Sequence, residues 1–349
     1  MTSGGRVELV QAVLTRWAAT QLRATDHVVL EATGNTTAVI NAVRAPGARV
    51  VGANPFQVRR IAEARVKTDK IDAAVLAPLY ARGVLPAVWI PDDATQTLRR
   101  QVARRAQIVR QRVRLKNVVH SVLHTYLIPR CPAADLFGRK GRRWLAAPPL
   151  PLEERRGVEQ RLRELDRLGE DLKTIDRLLG EAVVTNPAVQ QLLTITGVNT
   201  IVAIGLCAAI GDITRFRSPE KLVRYVGLNP RVSQSGRHPA RHGHSSKRGR
   251  SHARAMLVEA DWAASTASGP LRAFFHRIRA KRGLQVAAVA TARTLTIVAW
   301  QVLTKDEPTR IIGHRSSRSN GAPWNYRPGA RSTRRQERAG GRVQHPAPA

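Results

Sequence analysis

The chain has 349 residues, with 58 lysines and arginines against 25 aspartates and glutamates, which gives a formal net charge of +33 and a pI near 11.7. Repulsion among so many positive charges opposes folding into a compact state, and such an excess is typical of proteins that bind a polyanion. As that polyanion we favour nucleic acid over an anionic membrane. Cys131 and Cys207 form no zinc-ligand pattern, the first residues lack a signal peptide's apolar core, and no apolar run is predicted to span a bilayer, so we expect a cytoplasmic, nucleoid-associated protein with no membrane partner.

Helical and strand-like segments alternate in the first part of the chain, residues 1–94. Apolar strands are predicted at 27–30 and 48–53, and helical periodicity covers 7–22, 37–44 and 56–65. Strands that alternate with helices are typical of an α/β domain, and we predict one here.

Three carboxylates in this domain are candidate metal ligands. Asp69 and Asp72 stand three apart at the start of a predicted helix, so both can point at one spot, and Glu31 follows the first strand. Converging carboxylates are the ligands that Mg²⁺ needs for phosphoryl chemistry. Carboxylates are also common at helix starts because they stabilise the helix dipole, so the spacing alone leaves both interpretations open.

Residues 95–184 are predicted as a helical arm. Its first helix, 95–127, carries basic residues and no Asp or Glu between Gln96 and Arg130, whereas a solvated face usually mixes both signs. We therefore predict contact with nucleic acid rather than a solvated face. The residues predicted to make this contact are Arg99, Arg100, Arg104, Arg105, Arg110, Arg112, Arg114 and Lys116.

The rest of the arm is predicted as a linker and a second helix. Residues 131–151 are rich in proline, arginine and small residues and are predicted as the linker. Residues 153–184 place Val158, Leu165, Leu172 and Leu179 seven apart, which predicts a short coiled coil for dimerisation or domain bridging. An ordinary amphipathic helix that packs on its own chain fits the pattern equally well.

A second globular region, 185–304, is helical in period. Leu193–Thr200 resembles a helix-hairpin-helix turn, although a plain helix–helix turn fits equally. Ser235-Gly236 stands before a basic stretch that contains Arg237, Arg241, Lys247, Arg248 and Arg250. These residues could activate a serine nucleophile or bind phosphate, while on pattern alone Ser-Gly is simply a turn. Residues 305–349 are predicted to be a disordered basic tail.

The ordered motifs resemble the IS110/IS1111 transposase family. Glu31–Gly34, Asn54-Pro55 and Lys67–Ala73 resemble its N-terminal domain. A longer set of motifs resembles the family's C-terminal domain: Leu193–Val198, Ile210–Asp212 with Arg215-Phe216, Tyr225–Pro230 and Ser235-Gly236. Each motif is loose, but together they run in the family order from about Val28 to Pro308.

This resemblance implies a partial RuvC-like domain of the RNase H type, with a four-carboxylate cluster that binds Mg²⁺. Glu31, Asp69 and Asp72 match its second, third and fourth members, and Ser235 matches the serine that forms a covalent phosphoserine with DNA. Ser233 is set aside as the nucleophile only by this match. The resemblance also implies a structured guide RNA, and dimers or tetramers.

The chain departs from the family pattern at its start. The family's first aspartate lies on a strand upstream of the helix with which this chain begins, and Asp26 stands at the wrong end of its own strand to replace it. We expect a truncated or mis-started copy, with an altered frame after Pro308. Two alternatives to an active recombinase stay open, an inactive nucleic-acid-binding remnant and a metal-dependent nuclease of the RuvC type.

Overall fold

The computed structural model describes residues 5–44, 47–62, 69–234 and 241–305, and within the helix that begins at Asp69 it describes side chains only from residue 75 onward. The chain divides into two compact units between Asp93 and Ala94. The first unit combines helices with a small sheet, and the second is almost entirely helical. This arrangement confirms the predicted α/β plus α class.

The first unit contains a three-stranded sheet in the order β1-β2-β3. Strands β1 and β2 are parallel, with His27 opposite Arg49 and Glu31 opposite Ala53, and β3 pairs antiparallel with β2. Within the described residues, β1 lies at an edge. The elements are α1 (Gln11–Gln21), β1 (His27–Glu31), α2 (Thr36–Arg44), β2 (Arg49–Ala53), α3 (Pro55–Ala62), α4 (Asp69–Ala81) and β3 (Ala87–Val88).

Local chemistry explains these boundaries. A parallel pair of strands needs a crossover connection, and α2 supplies it. Ile40 and Val43 are buried residues of this helix. Asn54 begins α3, because its side-chain oxygen accepts hydrogen bonds from the N–H groups of Phe56 and Gln57, and Pro55 suits the first helical position. Strand β3 is too short to show an alternating pattern, and the sequence did not predict it.

The second unit is built around one large apolar cluster formed mainly by helices α8 to α11 and α13. Its fully buried members include Leu192, Ile204, Leu222, Leu257 and Leu295. The elements are α5 (Asp93–Thr125), α6 (Arg139–Leu145), α7 (Leu152–Thr185), α8 (Pro187–Leu193), α9 (Thr200–Ile210), a 3₁₀ turn (Ile213–Arg215), α10 (Pro219–Val226), β4 (Pro230–Ser233), β5 (Arg241–Ser245), α11 (Ser251–Thr266), α12 (Pro270–Arg282) and α13 (Leu284–Lys305).

Helices α5 and α7 pack antiparallel within the chain. Val102 near the start of α5 shares a cluster with Leu179 near the end of α7, and Val119 shares another with Val158. This geometry agrees with the second interpretation of the heptad pattern, an amphipathic helix that packs on its own chain.

The prediction of a linker at 131–151 was wrong. The segment contains α6, and Leu136, Leu145 and Leu150 are buried against α5 and α7. A few well-spaced leucines with a nearby apolar surface are enough to order a segment rich in proline, arginine and small residues.

One helix contradicts the expectation that no apolar run could span a bilayer. By length and composition α13 is long and apolar enough to do so. In the structure, however, it packs against α8, α10, α11 and α12, and Leu295 and Val302 lie in the central cluster. It is therefore placed as a core helix of the second unit.

Candidate functional site

The candidate metal ligands are positioned by β1 and α4. Helix α4 packs on β1, and the Tyr80 hydroxyl near the end of α4 hydrogen-bonds His27 Nδ1 at the start of β1, at 2.9 Å. These contacts place the end of α4 beside the start of β1. About 12 Å of helix separates Tyr80 from Asp72, and about 13 Å of strand separates His27 from Glu31. From these similar lengths we predict that the first turn of α4 lies near the end of β1 that carries Glu31.

The side chains of Asp69 and Asp72 lie outside the described residues, so their contacts stay a prediction. In the part of the chain whose side chains are described, no group of three metal-binding residues occurs. Asp26 lies at the opposite end of β1, where its carboxylate accepts a hydrogen bond from Arg23 N at 2.8 Å. Asp26 therefore lies at the end of β1 away from Glu31, as the sequence predicted.

The basic stretch around Ser235 forms a β-hairpin that the sequence did not predict. Strands β4 and β5 are antiparallel, with Val232 opposite His242 and Ser233 opposite Arg241. Ser235 and Arg237 lie outside the described residues, in the connection between the two strands. Arg241 lies on β5, and the alternative nucleophile Ser233 is exposed at the end of β4. Short strands rich in arginine and histidine carry little apolar alternation, which explains why the sequence did not show them.

The base of this hairpin is tightly fastened to the helical core. Ser246 donates from its backbone and its hydroxyl to Asn229, and Arg250 N donates to the carbonyl oxygen of Tyr225 at 3.0 Å. Arg254 donates to the carbonyl oxygens of Val226 and Lys247, both at 3.1 Å. These bonds fix where β4 leaves the core and where β5 returns to it.

Four residues meet beside this base, and we call them the Arg–Tyr cluster: Arg99, Arg215, Tyr225 and Arg250. Arg99 donates to the carbonyl oxygens of Ala208 and Ala209 at the end of α9, at 2.6 and 3.0 Å, and Arg215 donates to Ile210 O at 2.9 Å. Arg250 Nε donates to the Tyr225 hydroxyl at 2.8 Å.

The electrostatics of the cluster are dominated by positive charge. Burial lowers the pKa of Arg99, and the nearby charges of Arg250 and Arg215 lower it further. Burial alone would raise the pKa of Tyr225, but Arg250 and Arg215 outweigh it, so the pKa lies below its ordinary value. The Arg215 guanidinium lies 4.5 Å from the centre of the Tyr225 ring. Several guanidinium groups therefore lie around one aromatic ring. Their positive charge makes the binding of an anion favourable.

The predicted interface on α5 is only partly open. Arg104 and Arg105 form ion pairs with Asp171 and Asp176 of α7, at 3.6 and 2.6 Å. Arg112 lines a cleft of about 410 Å³ between α5 and α7, and Lys116 lies 5.0 Å from the Phe137 ring centre. The exposed basic side chains of the predicted set on this helix are Arg100, Arg104, Arg110 and Arg114, and of these Arg104 is paired with Asp171.

The turn between α8 and α9 has a structural explanation. Asn199 begins α9 by accepting a hydrogen bond from Val202 N at 2.9 Å. Gly197 has φ +91°, and a Cβ there would lie 2.5 Å from Ala260 O. Because the glycine faces α11, this geometry favours the plain helix–helix turn over a phosphate site.

Sequence reasoning missed Arg215 and Tyr225 as site residues, although both stand in the motifs that carried the resemblance. They come from separate segments, and no fixed spacing links them to Arg99 or Arg250. The signal that could have found them is an aromatic residue close to arginines within ordered motifs.

Two family descriptions match the chain, in order. A transposase family of the DEDD type found in IS110 elements matches residues 5–128, and the "Transposase IS116/IS110/IS902 family" matches residues 189–276. Both are transposase domains, and together they cover the carboxylates and the hairpin. The chain belongs to the IS110/IS1111 family of transposases.

Individual relatives are more distant. The y4qE protein of Sinorhizobium fredii, described as a transposase, is 28% identical over 63% of this chain and 54% of its own length, so the chain spans about half of it. The transposase of insertion sequence IS1111A from Coxiella burnetii is 25% identical over 70% of this chain and 68% of its own. The transposase of IS1328 from Yersinia enterocolitica is 28% identical over 68% of this chain and 72% of its own.

Proposed function

We propose that this chain is a DNA transposase that exchanges strands through a serine nucleophile and chooses its target through a guide RNA. The observation that carries this proposal is the ordered pair of family matches, the first over a carboxylate domain and the second over a basic hairpin with a serine in its connection. The strong positive charge supports a polyanionic substrate.

Ser235 is the proposed nucleophile. Its hydroxyl oxygen attacks the phosphorus of a DNA phosphodiester and gives up its proton, and the bond from phosphorus to the leaving DNA oxygen breaks as that oxygen takes up a proton. The phosphoserine bond conserves the energy of the cleaved linkage, so that the hydroxyl of another strand can displace the serine. Arg241, Lys247 and Arg248 flank the hairpin and hold the DNA backbone.

Glu31, Asp69 and Asp72 are the proposed ligands of Mg²⁺ in a RuvC-like domain. The donor set fits this ion, because carboxylate oxygens are hard ligands, and α4 packs on the strand that ends at Glu31. The role of these side chains is to hold and orient the ion. When bound, Mg²⁺ supplies positive charge that stabilises a phosphate undergoing transfer.

The guide RNA is proposed to lie on the exposed side of α5, at Arg100, Arg110 and Arg114. Arg105 and Arg99 of α5 instead contact α7 and α9, and are proposed to support this surface rather than bind the RNA. Assembly into dimers or tetramers is also proposed, and Leu178 and Val184 are exposed apolar residues of α7 from which two copies could build a contact.

A covalent adduct tests this function. Labelled DNA that carries the element's ends is mixed with protein, guide RNA and Mg²⁺, and a denaturing gel detects DNA that stays attached to protein. We expect the adduct from the unmutated chain and none from Ser235→Ala or with EDTA. Ser233→Ala and Asp26→Asn are the matched controls and keep it, whereas Asp69→Asn and Asp72→Asn lose it.

A second candidate is a nucleic-acid-binding protein without catalysis. The observation in its favour is that β1, which ends at Glu31, is an edge strand of the described sheet, with β2 on one side and, within the described residues, no strand on the other side that could carry a further ligand. Binding that weakens with salt, with no adduct from the unmutated chain, would select this candidate. Cleavage that survives Ser235→Ala but fails in Asp69→Asn would instead select a metal-dependent nuclease.

A further inference from the structure

The Arg–Tyr cluster gathers three guanidinium groups around one tyrosine. Burial lowers the pKa of Arg99, and the charges of Arg250 and Arg215 lower it further. Asp212 is the carboxylate whose pKa responds to Arg215, but its two oxygens accept hydrogen bonds from the backbone and hydroxyl of Thr214, at 2.8 and 2.7 Å. Positive charge gathered at one spot attracts an approaching anion.

The three arginines are not equivalent. Arg99 and Arg215 donate to the carbonyl oxygens of Ala208, Ala209 and Ile210, where they favourably oppose the negative end of the α9 dipole. Arg250 differs, because in the described part of the chain its guanidinium makes one hydrogen bond, through Nε to Tyr225, and the side chain is exposed. Its two terminal nitrogens form a fork that matches the oxygens of a phosphate.

Tyr225 holds this fork in place. Its hydroxyl donates to Ala209 O at 3.1 Å and accepts from Arg250 Nε, and its ring centre lies 5.8 Å from the Arg250 guanidinium. The backbone of Arg250 is fixed as well, because its N–H donates to Tyr225 O. The fork is therefore oriented before any ligand arrives, which lowers the entropic cost of binding.

We propose that Arg250, positioned by Tyr225, binds a backbone phosphate of the DNA strand on which the hairpin acts. The assignment to DNA rests on the proposed function, because Arg250 closely follows the hairpin whose connection contains Ser235. Arg250 is the binding residue and Tyr225 is a positioning residue. The contact carries no base information and anchors the strand beside the hairpin.

The experiment measures the affinity of the full-length chain for labelled duplex DNA, by fluorescence anisotropy at several salt concentrations. Arg250→Gln is expected to weaken binding about tenfold near 0.15 M salt and to reduce the slope of log affinity against log salt by about 1. Arg279→Gln on α12 is the matched control, since it removes one exposed positive charge outside the cluster. If both variants bind alike, the proposal is overturned.

Two further variants separate phosphate binding from a merely structural role. Arg250→Lys keeps the charge, so we expect it to restore the salt slope, whereas a role in fastening the hairpin base would leave it as defective as Arg250→Gln. Tyr225→Phe removes the positioning hydroxyl but no charge, so we expect weaker binding, about threefold, with an unchanged slope. An unweakened Tyr225→Phe would refute the positioning role.

Parallel measurements with single-stranded DNA and with duplex RNA identify the strand. A loss confined to RNA would overturn the assignment to DNA. The binding result and the adduct result can fail separately, since Ser235→Ala is expected to bind DNA normally. A slope change without any adduct would keep this phosphate site and reject the transposase function, and an adduct with an unchanged slope would do the reverse.

Discussion

Helix α5 and the base of the β4–β5 hairpin are both rich in arginine, but their arginines have different partners. On α5, Arg104 and Arg105 pair with aspartates of α7. At the hairpin base, Arg250 bonds a neutral tyrosine and stands near two further guanidinium groups. A basic stretch in a sequence therefore overstates the charge that is available to nucleic acid, because part of it is paired with aspartates of a neighbouring helix.

The largest effect is expected where the hairpin base is most crowded. Gly249 has φ +136°, and a Cβ at this position would collide with the carbonyl oxygen of Tyr225. Gly249→Ala should lower the free energy of unfolding by about 2 to 3 kcal/mol and weaken DNA binding, because Arg250 is displaced. Urea unfolding and anisotropy measure the two effects.

Gly283→Ala is the control for backbone strain alone. Gly283 also has a positive φ, +83°, but a Cβ there meets open space, so we expect a cost of only about 1 kcal/mol and normal DNA binding. Equal effects from the two substitutions would show that the hairpin base is not crowded, which would remove the argument that Arg250 is held rigidly.

A buried acidic group provides a contrast to the arginines. Asp261 on α11 is fully buried, and in the described residues its oxygens make no hydrogen bond. Burial raises its pKa to about 6, while nearby Thr291 only partly opposes this. Unlike an arginine, an aspartate without a charged partner can relieve the cost of burial by keeping its proton.

The pH dependence follows from this raised pKa. The unfolded chain ionises Asp261 near pH 4 while the folded chain keeps the proton until about pH 6, so stability is lost as pH rises between these values. We expect a loss of about 2 to 3 kcal/mol, obtained as the difference between the unmutated chain and Asp261→Asn in unfolding experiments at pH 4 and pH 7. A constant difference between the two proteins across this range would contradict the raised pKa.

The smallest effect is expected on α5. Arg105 and Asp176 are partly exposed, with 23% and 39% of their side chains accessible, so solvent screens their attraction. A double-mutant cycle with Arg105→Gln and Asp176→Asn should give a coupling of about 0.5 to 1 kcal/mol. Arg105→Gln should also change the salt slope of DNA binding less than Arg250→Gln does. The reverse order would show that α5 carries the stronger phosphate contact.

Regular periodicity explains which parts of the fold could be predicted. The helix predicted at 95–127 is α5 at Asp93–Thr125, and the predicted strands at 27–30 and 48–53 are β1 and β2. The prediction for segment 131–151 failed because the composition suggested a linker, whereas the burial of its leucines depends on the surfaces of α5 and α7. The hairpin failed because its pairing joins residues whose side chains show no clear alternation.

The candidate site was predicted residue by residue but not as an arrangement. Glu31, Asp69 and Asp72 could be proposed as ligands because a strand end and a helix start are visible in the sequence, and their role stays a prediction. The Arg–Tyr cluster was not found, because its members come from α5, the 3₁₀ turn, α10 and the residue before α11. No sequence spacing can reveal a group that four separate segments assemble.

The sequence by itself determined the strong positive charge, the α/β plus α class and the family, because composition, periodicity and ordered motifs are properties of the chain before it folds. The tertiary structure alone decided which arginines are neutralised and which stay available for a ligand. The physical reason is that the energy of a charge depends on its distance to other charges and on its burial. Packing of α7 against α5, and of the hairpin base against α9 and α10, sets both.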